Sequence, residues 1–275
     1  MTQLNTPVVP ARHRSAAALA LSAALLLSAC ASTDEFAGKS NGQVLSEGQS
    51  SLSDGNYTQA VKALEALEGR TAGSALGQQV QLDLAYAYYK NGDKVLALTT
   101  LDRFIRYNPS SPALDYAFYL KGVISFIGNQ GFFGRLTGQD LAERDQQSAR
   151  DSYKAFAQLV SAFPNSKYAP DSRQRMAYIV NALARNELDV ADFYFQRGAY
   201  QAAVNRSQEV IREFPNTPAN EAALWVLAQA YGHMGLNDLQ SDTLRVLKAS
   251  FPNSEYLSRQ PAGLIENSRP WWRFW

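Results

Sequence analysis

Apolar residues recur at three- and four-residue spacing through most of the chain beyond residue 40, which is the pattern of amphipathic helices. Two such runs are Leu82, Ala85, Tyr86 and Tyr89, and then Leu98, Leu101, Phe104 and Ile105. No segment has the Val- and Ile-rich alternation that is typical of a strand. Pro and Gly instead separate the apolar runs at helix-length intervals. The pattern predicts an all-α fold.

The spacing of the glycines and prolines repeats along the chain. The segment 55–60 resembles the segment 198–203, and a second glycine follows each after 37 residues (92 − 55 and 235 − 198). Turns of the form Asn-Pro-Ser or Pro-Asn-Ser/Thr follow further downstream, at Pro109, Pro164, Pro215 and Pro252. A period slightly above the roughly 34 residues of tetratricopeptide repeats predicts helix–turn–helix units stacked into a superhelix.

We therefore predict a tetratricopeptide-like solenoid of about five repeats over residues 41–257. The third unit is stretched, because Pro109 and Pro164 are 55 residues apart (164 − 109), which leaves room for an insertion at 128–135. In the fourth unit the spacing predicts a longer first helix, from about Asp171 to Gln196.

The N-terminus has the pattern of an export signal. Residues 1–14 end in a basic stretch, and an apolar run over 16–27 is too short to span a bilayer. The sequence Leu27-Ser28-Ala29-Cys30 resembles the lipobox of bacterial lipoproteins, in which the cysteine is acylated and becomes the new N-terminus. This predicts a signal peptide at 1–29, lipidation of Cys30 and a linker at 30–40. The alternative is an ordinary signal peptide with an incidental cysteine. In lipoproteins of this kind, Ala31 after the cysteine implies delivery to the outer membrane.

Composition argues against several functional classes. The 26 Lys and Arg are balanced by 25 Asp and Glu, which disfavours a nucleic-acid binder. One Cys and two His provide few ligands for a metal. No motif indicates a buried carboxylate with a shifted pKa in a cleft, so we predict no catalytic residues, no metal and no cofactor. An enzyme using paired carboxylates stays as a rival interpretation.

The first helix of each repeat is expected to line a concave surface. In that phase Tyr86, Tyr89 and Lys90 point into the groove from the second unit, and Tyr116, Tyr119 and Phe126 do so from the third. Aromatic rings suit the binding of an extended peptide because they bury much area at low entropic cost. The alternative is that these rings fill the core between the repeats.

Two further aromatic segments fall outside the repeat pattern. The adjacent Phe132 and Phe133 lie between glycines, either as a binding loop or packed on the neighbouring repeat. Residues 258–275 form a tail that contains Trp271, Trp272 and Trp275. This tail docks on the protein or a partner, or it lies at the membrane interface. Because it ends in aromatic residues, a further hypothesis is that it occupies the groove itself.

Several segments resemble the BamD family, the lipoprotein subunits of the machinery that inserts β-barrel proteins into the bacterial outer membrane. The most telling are 85–90 (Ala-Tyr-Ala-Tyr-Tyr-Lys), 104–109, 115–117, 163–166 and 203–206. The resemblance implies a non-catalytic scaffold at the periplasmic face of the outer membrane. Its partners would be the POTRA domains of BamA, other Bam lipoproteins and unfolded barrel precursors, whose C-terminal signal ends in an aromatic residue.

The same resemblance implies a division of the solenoid. Residues 41–165 would face the precursor, and residues 166–257 would face BamA. Arg206, within the Ala-Val-Asn-Arg match, would contact a carboxylate on BamA, unless it is simply a solvated arginine. A rival interpretation is a periplasmic repeat lipoprotein that organises peptidoglycan synthesis or cell division, because a repeat fold does not determine its partner.

Overall fold

A computed structural model describes residues 35–126 and 146–259, and the regular structure in these ranges is entirely helical. The α-helices there are α1 Asn41–Ser53, α2 Tyr57–Thr71, α3 Ala75–Asn91, α4 Lys94–Tyr107, α5 Leu114–Phe126, α6 Gln146–Ala162, α7 Ala169–Gln196, α8 Tyr200–Glu213, α9 Ala219–His233 and α10 Asn237–Ser250. A short 3-10 helix follows at Glu255–Ser258. The predicted all-α fold is confirmed.

The helices pair as five helix–turn–helix units, α1–α2, α3–α4, α5–α6, α7–α8 and α9–α10, and each unit packs on the next. The first helices of neighbouring units also touch, α1 with α3, α3 with α5 and α7 with α9. Phe126 of α5 also meets Tyr178 of α7, so the first helices form one layer, which we call the first-helix layer. This is the solenoid arrangement that the period of the sequence predicts.

The turn within a unit follows the same scheme in four of the five units. In the second unit Gly92 has φ 96° and ends α3, and the Asp93 amide donates to the carbonyl of Tyr88 at 2.9 Å. Equivalent bonds follow the glycines that end the other three first helices, Gly55, Gly198 and Gly235, all with φ between 73° and 76°. Glycine adopts this left-handed conformation without the steric cost that a side chain adds. The repeated glycines of the sequence are these helix ends.

Small residues let the paired helices approach closely in the third unit. Gly122 of α5 faces the fully buried ring of Phe156 on α6, and its carbonyl accepts a 2.8 Å hydrogen bond from the hydroxyl of Ser152. A Cβ atom at position 122 would lie 2.5 Å from Cε1 of Phe156. Gly122 therefore fixes the rotation of α5 about its axis, and with it the directions of Tyr116 and Tyr119.

Several predictions concern residues outside the described ranges. These are the signal peptide at 1–29, the lipidated Cys30, the insertion with Phe132 and Phe133, and the aromatic tail beyond residue 259. The long first helix of the fourth unit is α7, which begins at Ala169 and ends at Gln196. Within residues 35–126 and 146–259, no helix has the length and apolar content needed to cross a bilayer.

The close contact at Gly122 predicts a sharp difference between two glycine substitutions. Gly122→Ala should destabilise the fold by about 1–3 kcal/mol, because the buried Phe156 ring must move to admit the methyl group. Gly69→Ala, in α2 with no atom within 4 Å of the new Cβ, should instead stabilise it by about 0.4–1 kcal/mol. Urea unfolding of both variants measures this difference. Equal effects would contradict the assigned packing.

Candidate peptide-binding surface

Aromatic side chains of α3 form the first part of the candidate site. The Tyr86 and Tyr89 rings lie one turn apart, with their centroids separated by 6.3 Å. The ammonium of Lys90 lies 5.3 Å from the ring centroid of Tyr57, at the start of α2. A hydrogen bond with the Tyr57 hydroxyl raises the pKa of Lys90, so this exposed side chain is a cation throughout the physiological range.

The second part comes from α5 and from the residue that precedes α7. The ring of Tyr168 lies 4.7 Å from that of Tyr119 in a stacked arrangement and 5.6 Å from that of Tyr116. Burial raises the pKa of Tyr116 from its ordinary value of 10.0 to about 12, and the nearby Tyr168, Asp83 and Tyr86 add to this shift. Tyr116 is therefore electrostatically coupled both to α3 and to the turn before α7.

A hydrogen-bonded pair on α7 holds one edge of this cluster. Nε of Arg175 donates to Oδ2 of Asp171 at 2.6 Å. The hydroxyl of Tyr119 hydrogen-bonds both side chains, and its pKa is raised, mainly by burial and then by the bond to Asp171. Burial opposes ionisation of Asp171, but its hydrogen bonds with Arg175 and Tyr119 outweigh this and lower its pKa. The carboxylate therefore stays charged and orients the Tyr119 ring.

We call these rings the tyrosine surface, which consists of Tyr57, Tyr86, Tyr89, Tyr116, Tyr119 and Tyr168. Each of them is partly buried and none is fully buried. Tyr86, Tyr89 and Tyr116 pack against the hydrophobic core of the first three units while part of each ring faces solvent. The two interpretations of the sequence are thus compatible, because one side of the ring belongs to the core and the other is open for binding.

The neighbouring Tyr88 shows the difference between a core tyrosine and a surface tyrosine. Its side chain is buried, and its hydroxyl donates a 2.6 Å hydrogen bond to Glu65 on α2. Burial and this bond raise its pKa. Tyr88 is therefore committed to the contact between α2 and α3 and has no surface for a ligand.

Phe126 lies apart from the tyrosine surface. It is seven residues beyond Tyr119, roughly 10 Å along the axis of α5. Its ring makes an edge contact with Tyr178 of α7 at 5.7 Å and packs in the hydrophobic cluster of α5, α6 and α7. Five of the six predicted substrate residues therefore adjoin one another through α3 and α5, and Phe126 occupies a separate position.

Arg206 lies on α8 and is paired with a carboxylate of its own chain. Its Nη1 lies 3.2 Å from Oε2 of Glu187 on α7. The Glu187 side chain is 10% exposed, whereas that of Arg206 is 46% exposed. The pair neutralises a carboxylate that is almost removed from water, and the rest of the guanidinium remains open to solvent.

Helical periodicity did not predict three contributions to the site, all from outside the helices that carry the predicted residues. Tyr57 begins α2, Tyr168 lies in the turn before α7, and the pair Asp171 and Arg175 lies in the first turns of α7. Opposite charges four residues apart are visible in the sequence as a helix-stabilising pair. Nothing in that spacing shows that the pair also binds a tyrosine of α5.

No three His, Cys, Asp or Glu side chains converge as a metal site requires within the two described ranges. The chemistry of the tyrosine surface is instead that of recognition. It combines apolar ring faces, hydroxyl groups that can donate or accept, and one exposed ammonium at Lys90. These are the groups that suit a ligand with both aromatic and polar parts.

Comparison with known proteins gives consistent matches over most of the chain. The family model of YfiO, described as an outer membrane lipoprotein, matches residues 38–247. Two similar relatives are both named outer membrane protein assembly factor BamD. The one from Neisseria meningitidis serogroup A is 45% identical over 235 residues, covering 85% of this chain and 86% of its own length. The one from Neisseria gonorrhoeae is 43% identical over 267 residues, covering 94% and 98%.

Among solved structures, the crystal structure of the MamA protein aligns with 79% of this chain and 98% of its own, at 15% identity and a TM-score of 0.34.

The raised pKa of Tyr116 predicts a loss of stability in alkali. The folded chain holds this hydroxyl neutral more strongly than the unfolded chain does, so its contribution is complete below about pH 10 and is lost as the pH rises towards about 12. The lost contribution should be about 1–3 kcal/mol. Between about pH 9 and about pH 11.5, the urea midpoint should therefore fall less for Tyr116→Phe than for the unmodified chain. The control is Tyr107→Phe, which changes a residue that is 72% exposed. Its urea midpoint should fall as much as that of the unmodified chain.

Proposed function

We propose that this chain is a non-catalytic scaffold in outer-membrane protein assembly. The chain belongs to the YfiO family of outer membrane lipoproteins, which includes the BamD assembly factors. In that role it holds unfolded barrel precursors on the tyrosine surface and BamA through its C-terminal units. The family membership confirms the resemblance seen in the sequence. It also favours a role in barrel assembly over the rival role, a scaffold for peptidoglycan synthesis or cell division, which the repeats alone did not exclude.

The single observation that carries the precursor-binding proposal is the partly exposed tyrosine surface. The Tyr119 ring is already stacked on Tyr168 and hydrogen-bonded to Asp171, so little rotamer freedom of this ring remains to be lost when a peptide binds. Aromatic anchors of this kind supply much of the affinity of a binding surface. An extended segment with an aromatic side chain fits these ring faces, and this is the chemistry that the family resemblance implies for a barrel signal.

Lys90 gives the proposed surface a direction. Its ammonium lies at the edge formed by Tyr57, Tyr86 and Tyr89 and is exposed to solvent. A carboxylate at the end of a bound peptide pairs with this cation, while the last aromatic ring packs against Tyr86. The attraction between exposed charges is screened by salt, so Lys90 contributes orientation more than affinity.

The proposed contact with BamA is at Arg206. The guanidinium is held by the buried Glu187, which fixes its position on α8, and its solvent-exposed part is available to a second carboxylate from the POTRA domains. Further proposals follow the family pattern. Acylated Cys30 anchors the chain to the periplasmic face of the outer membrane, and other Bam lipoproteins associate with the same assembly.

The tyrosine surface predicts a specific loss of peptide binding. Tyr86→Ala should weaken the binding of a peptide that ends in an aromatic barrel signal by about tenfold, because a lost ring contact costs about 0.5–1.5 kcal/mol beyond its buried area. Tyr86→Phe retains the ring and should bind within about twofold of the unmodified chain. Fluorescence anisotropy of a labelled peptide measures both affinities.

The exposed Tyr107 on α4 provides a control for non-specific aromatic contacts, because its ring is 72% exposed and lies outside the first-helix layer. Tyr107→Ala should leave peptide binding unchanged. Equal losses for Tyr86→Ala and Tyr107→Ala would remove the tyrosine surface as the binding site.

The Glu187–Arg206 pair predicts that a single and a double variant differ. Arg206→Gln leaves a buried carboxylate without its cation and should cost about 1–3 kcal/mol of folding free energy. Adding Glu187→Gln removes that charge and should restore most of the stability. Capture of BamA from detergent-extracted envelopes should be lost in both variants. Capture that returns together with stability would show that Arg206 acts only within the chain.

A further inference from the structure

A carboxylate on α3 borders the tyrosine surface. Asp83 precedes Tyr86 by three residues (86 − 83) and Lys90 by seven (90 − 83). At about 3.6 residues per turn, these spacings place the three side chains on one face of the helix. All three are exposed or partly exposed, whereas Leu84 and Tyr88 on the other side of α3 are buried. Asp83 therefore lies in line with the two residues to which we assign the end of a bound peptide.

Neighbouring side chains hold this carboxylate within the first-helix layer. Nε2 of Gln49 on α1 donates to Oδ2 of Asp83 at 3.0 Å, and Gln79, one turn earlier on α3, forms a second hydrogen bond. On the other side, the charge of Asp83 helps to raise the pKa of Tyr116 on α5, which shows that the two side chains are near each other. Asp83 is therefore positioned by contacts with three successive first helices.

The carboxylate of Asp83 has amides beside it but no cation. Burial raises its pKa, and the hydrogen bonds with Gln49 and Gln79 oppose this shift. Among the groups of residues 35–126 and 146–259 that shift this pKa, none is positively charged. A carboxylate that accepts two amide hydrogen bonds still has lone pairs for a further donor. A cation of a bound ligand therefore meets a positioned and partly desolvated anion, to which charge-assisted hydrogen bonds are strong.

The spacing of Asp83 from Lys90 matches the end of an extended peptide. Seven residues span roughly 10 Å along the axis of α3. In the proposed binding mode, the terminal carboxylate pairs with Lys90 and the last aromatic ring packs against Tyr86. The third residue from the C-terminus then lies roughly 7 Å before the last one, and its side chain points to the same side of the strand. That side chain is therefore directed at Asp83.

We propose that Asp83 is a specificity-determining residue of the tyrosine surface. Its carboxylate selects peptides that carry a hydrogen-bond donor, above all a Lys or Arg, at the third residue from the C-terminus. It disfavours an Asp or Glu at the same place. This inference rests on the proposed binding of precursor peptides to the tyrosine surface. The second residue from the C-terminus points away from α3, so Asp83 does not select it.

Asp83 and Lys90 together also fix the direction in which a peptide binds. A peptide in the reverse direction places its terminal carboxylate beside Asp83 and its positively charged residue beside Lys90. Both contacts bring like charges together, which lowers affinity for the wrong arrangement. The two charged residues of α3 therefore discriminate between directions as well as between sequences.

Fluorescence anisotropy of labelled peptides with the full-length chain in detergent tests the proposal. The peptides end in the same aromatic residue and differ only at the third residue from the end, which is Lys, Gln or Glu. The unmodified chain should bind the Lys peptide about fivefold more tightly than the Glu peptide, with the Gln peptide between them. Asp83→Asn should bring the Lys and Glu affinities within about twofold of each other, and Asp83→Lys should reverse the preference.

Two variants and one further peptide are the controls. Asp238→Asn removes the same charge from an exposed position in the first turn of α10 and should retain the preference for Lys. Tyr86→Ala should weaken the binding of all three peptides alike and leave their order unchanged. When the Lys is moved to the second residue from the end, Asp83→Asn should no longer alter the affinity.

The outcomes separate this inference from the proposed function. A preference for Lys that survives Asp83→Asn, or that is equal at the second residue from the end, overturns the inference alone. Peptide binding that Tyr86→Ala does not weaken overturns the proposed function and this inference with it. The reversal expected for Asp83→Lys guards against damage to the fold, because an unfolded chain loses affinity for both peptides rather than exchanging their order.

Discussion

The architecture depends on the left-handed glycine that ends the first helix in four of the five units. Gly55, Gly92, Gly198 and Gly235 adopt positive φ, and the amide that follows each glycine closes the helix on a carbonyl five residues earlier. The chain then reverses, so the second helix packs along the first. Repetition of this turn places successive first helices in one layer. Tyr86 and Tyr116, thirty residues apart (116 − 86), therefore lie near each other.

On the proposed assignment, the tyrosine surface serves both stability and binding. Tyr86, Tyr89, Tyr116 and Tyr119 pack on the hydrophobic clusters of the solenoid, and each of them remains partly exposed. The contacts of Tyr119 with Tyr168 and Asp171 also join the third unit to the fourth. Loss of a ring therefore affects both affinity and the packing between units, which is why a phenylalanine substitution is the informative partner of an alanine substitution.

Much of this fold was predictable because its turns are local. The spacing of glycines and prolines depends only on residues within one helix end, and Gly122 set the rotation of α5 through contact with the sister helix in the same unit. The contributions from α7 were not predictable in this way. Whether Asp171 meets Tyr119 depends on the angle between two units, and helical periodicity carries no information about that angle. The pairing of Arg206 with Glu187 was missed for the same reason, since the two residues lie on different helices.

The long helix α7 connects the two regions to which we assign partners. Its first turn carries Asp171, which orients Tyr119, and its middle carries Glu187, which holds Arg206. These two carboxylates are sixteen residues apart (187 − 171), which is roughly 24 Å along an uninterrupted helix. On the proposed assignment, a precursor on the tyrosine surface is therefore held at a set distance from BamA, equal to about seven residues of extended strand. On that assignment, α7 acts as a spacer of this length between the two proposed binding regions.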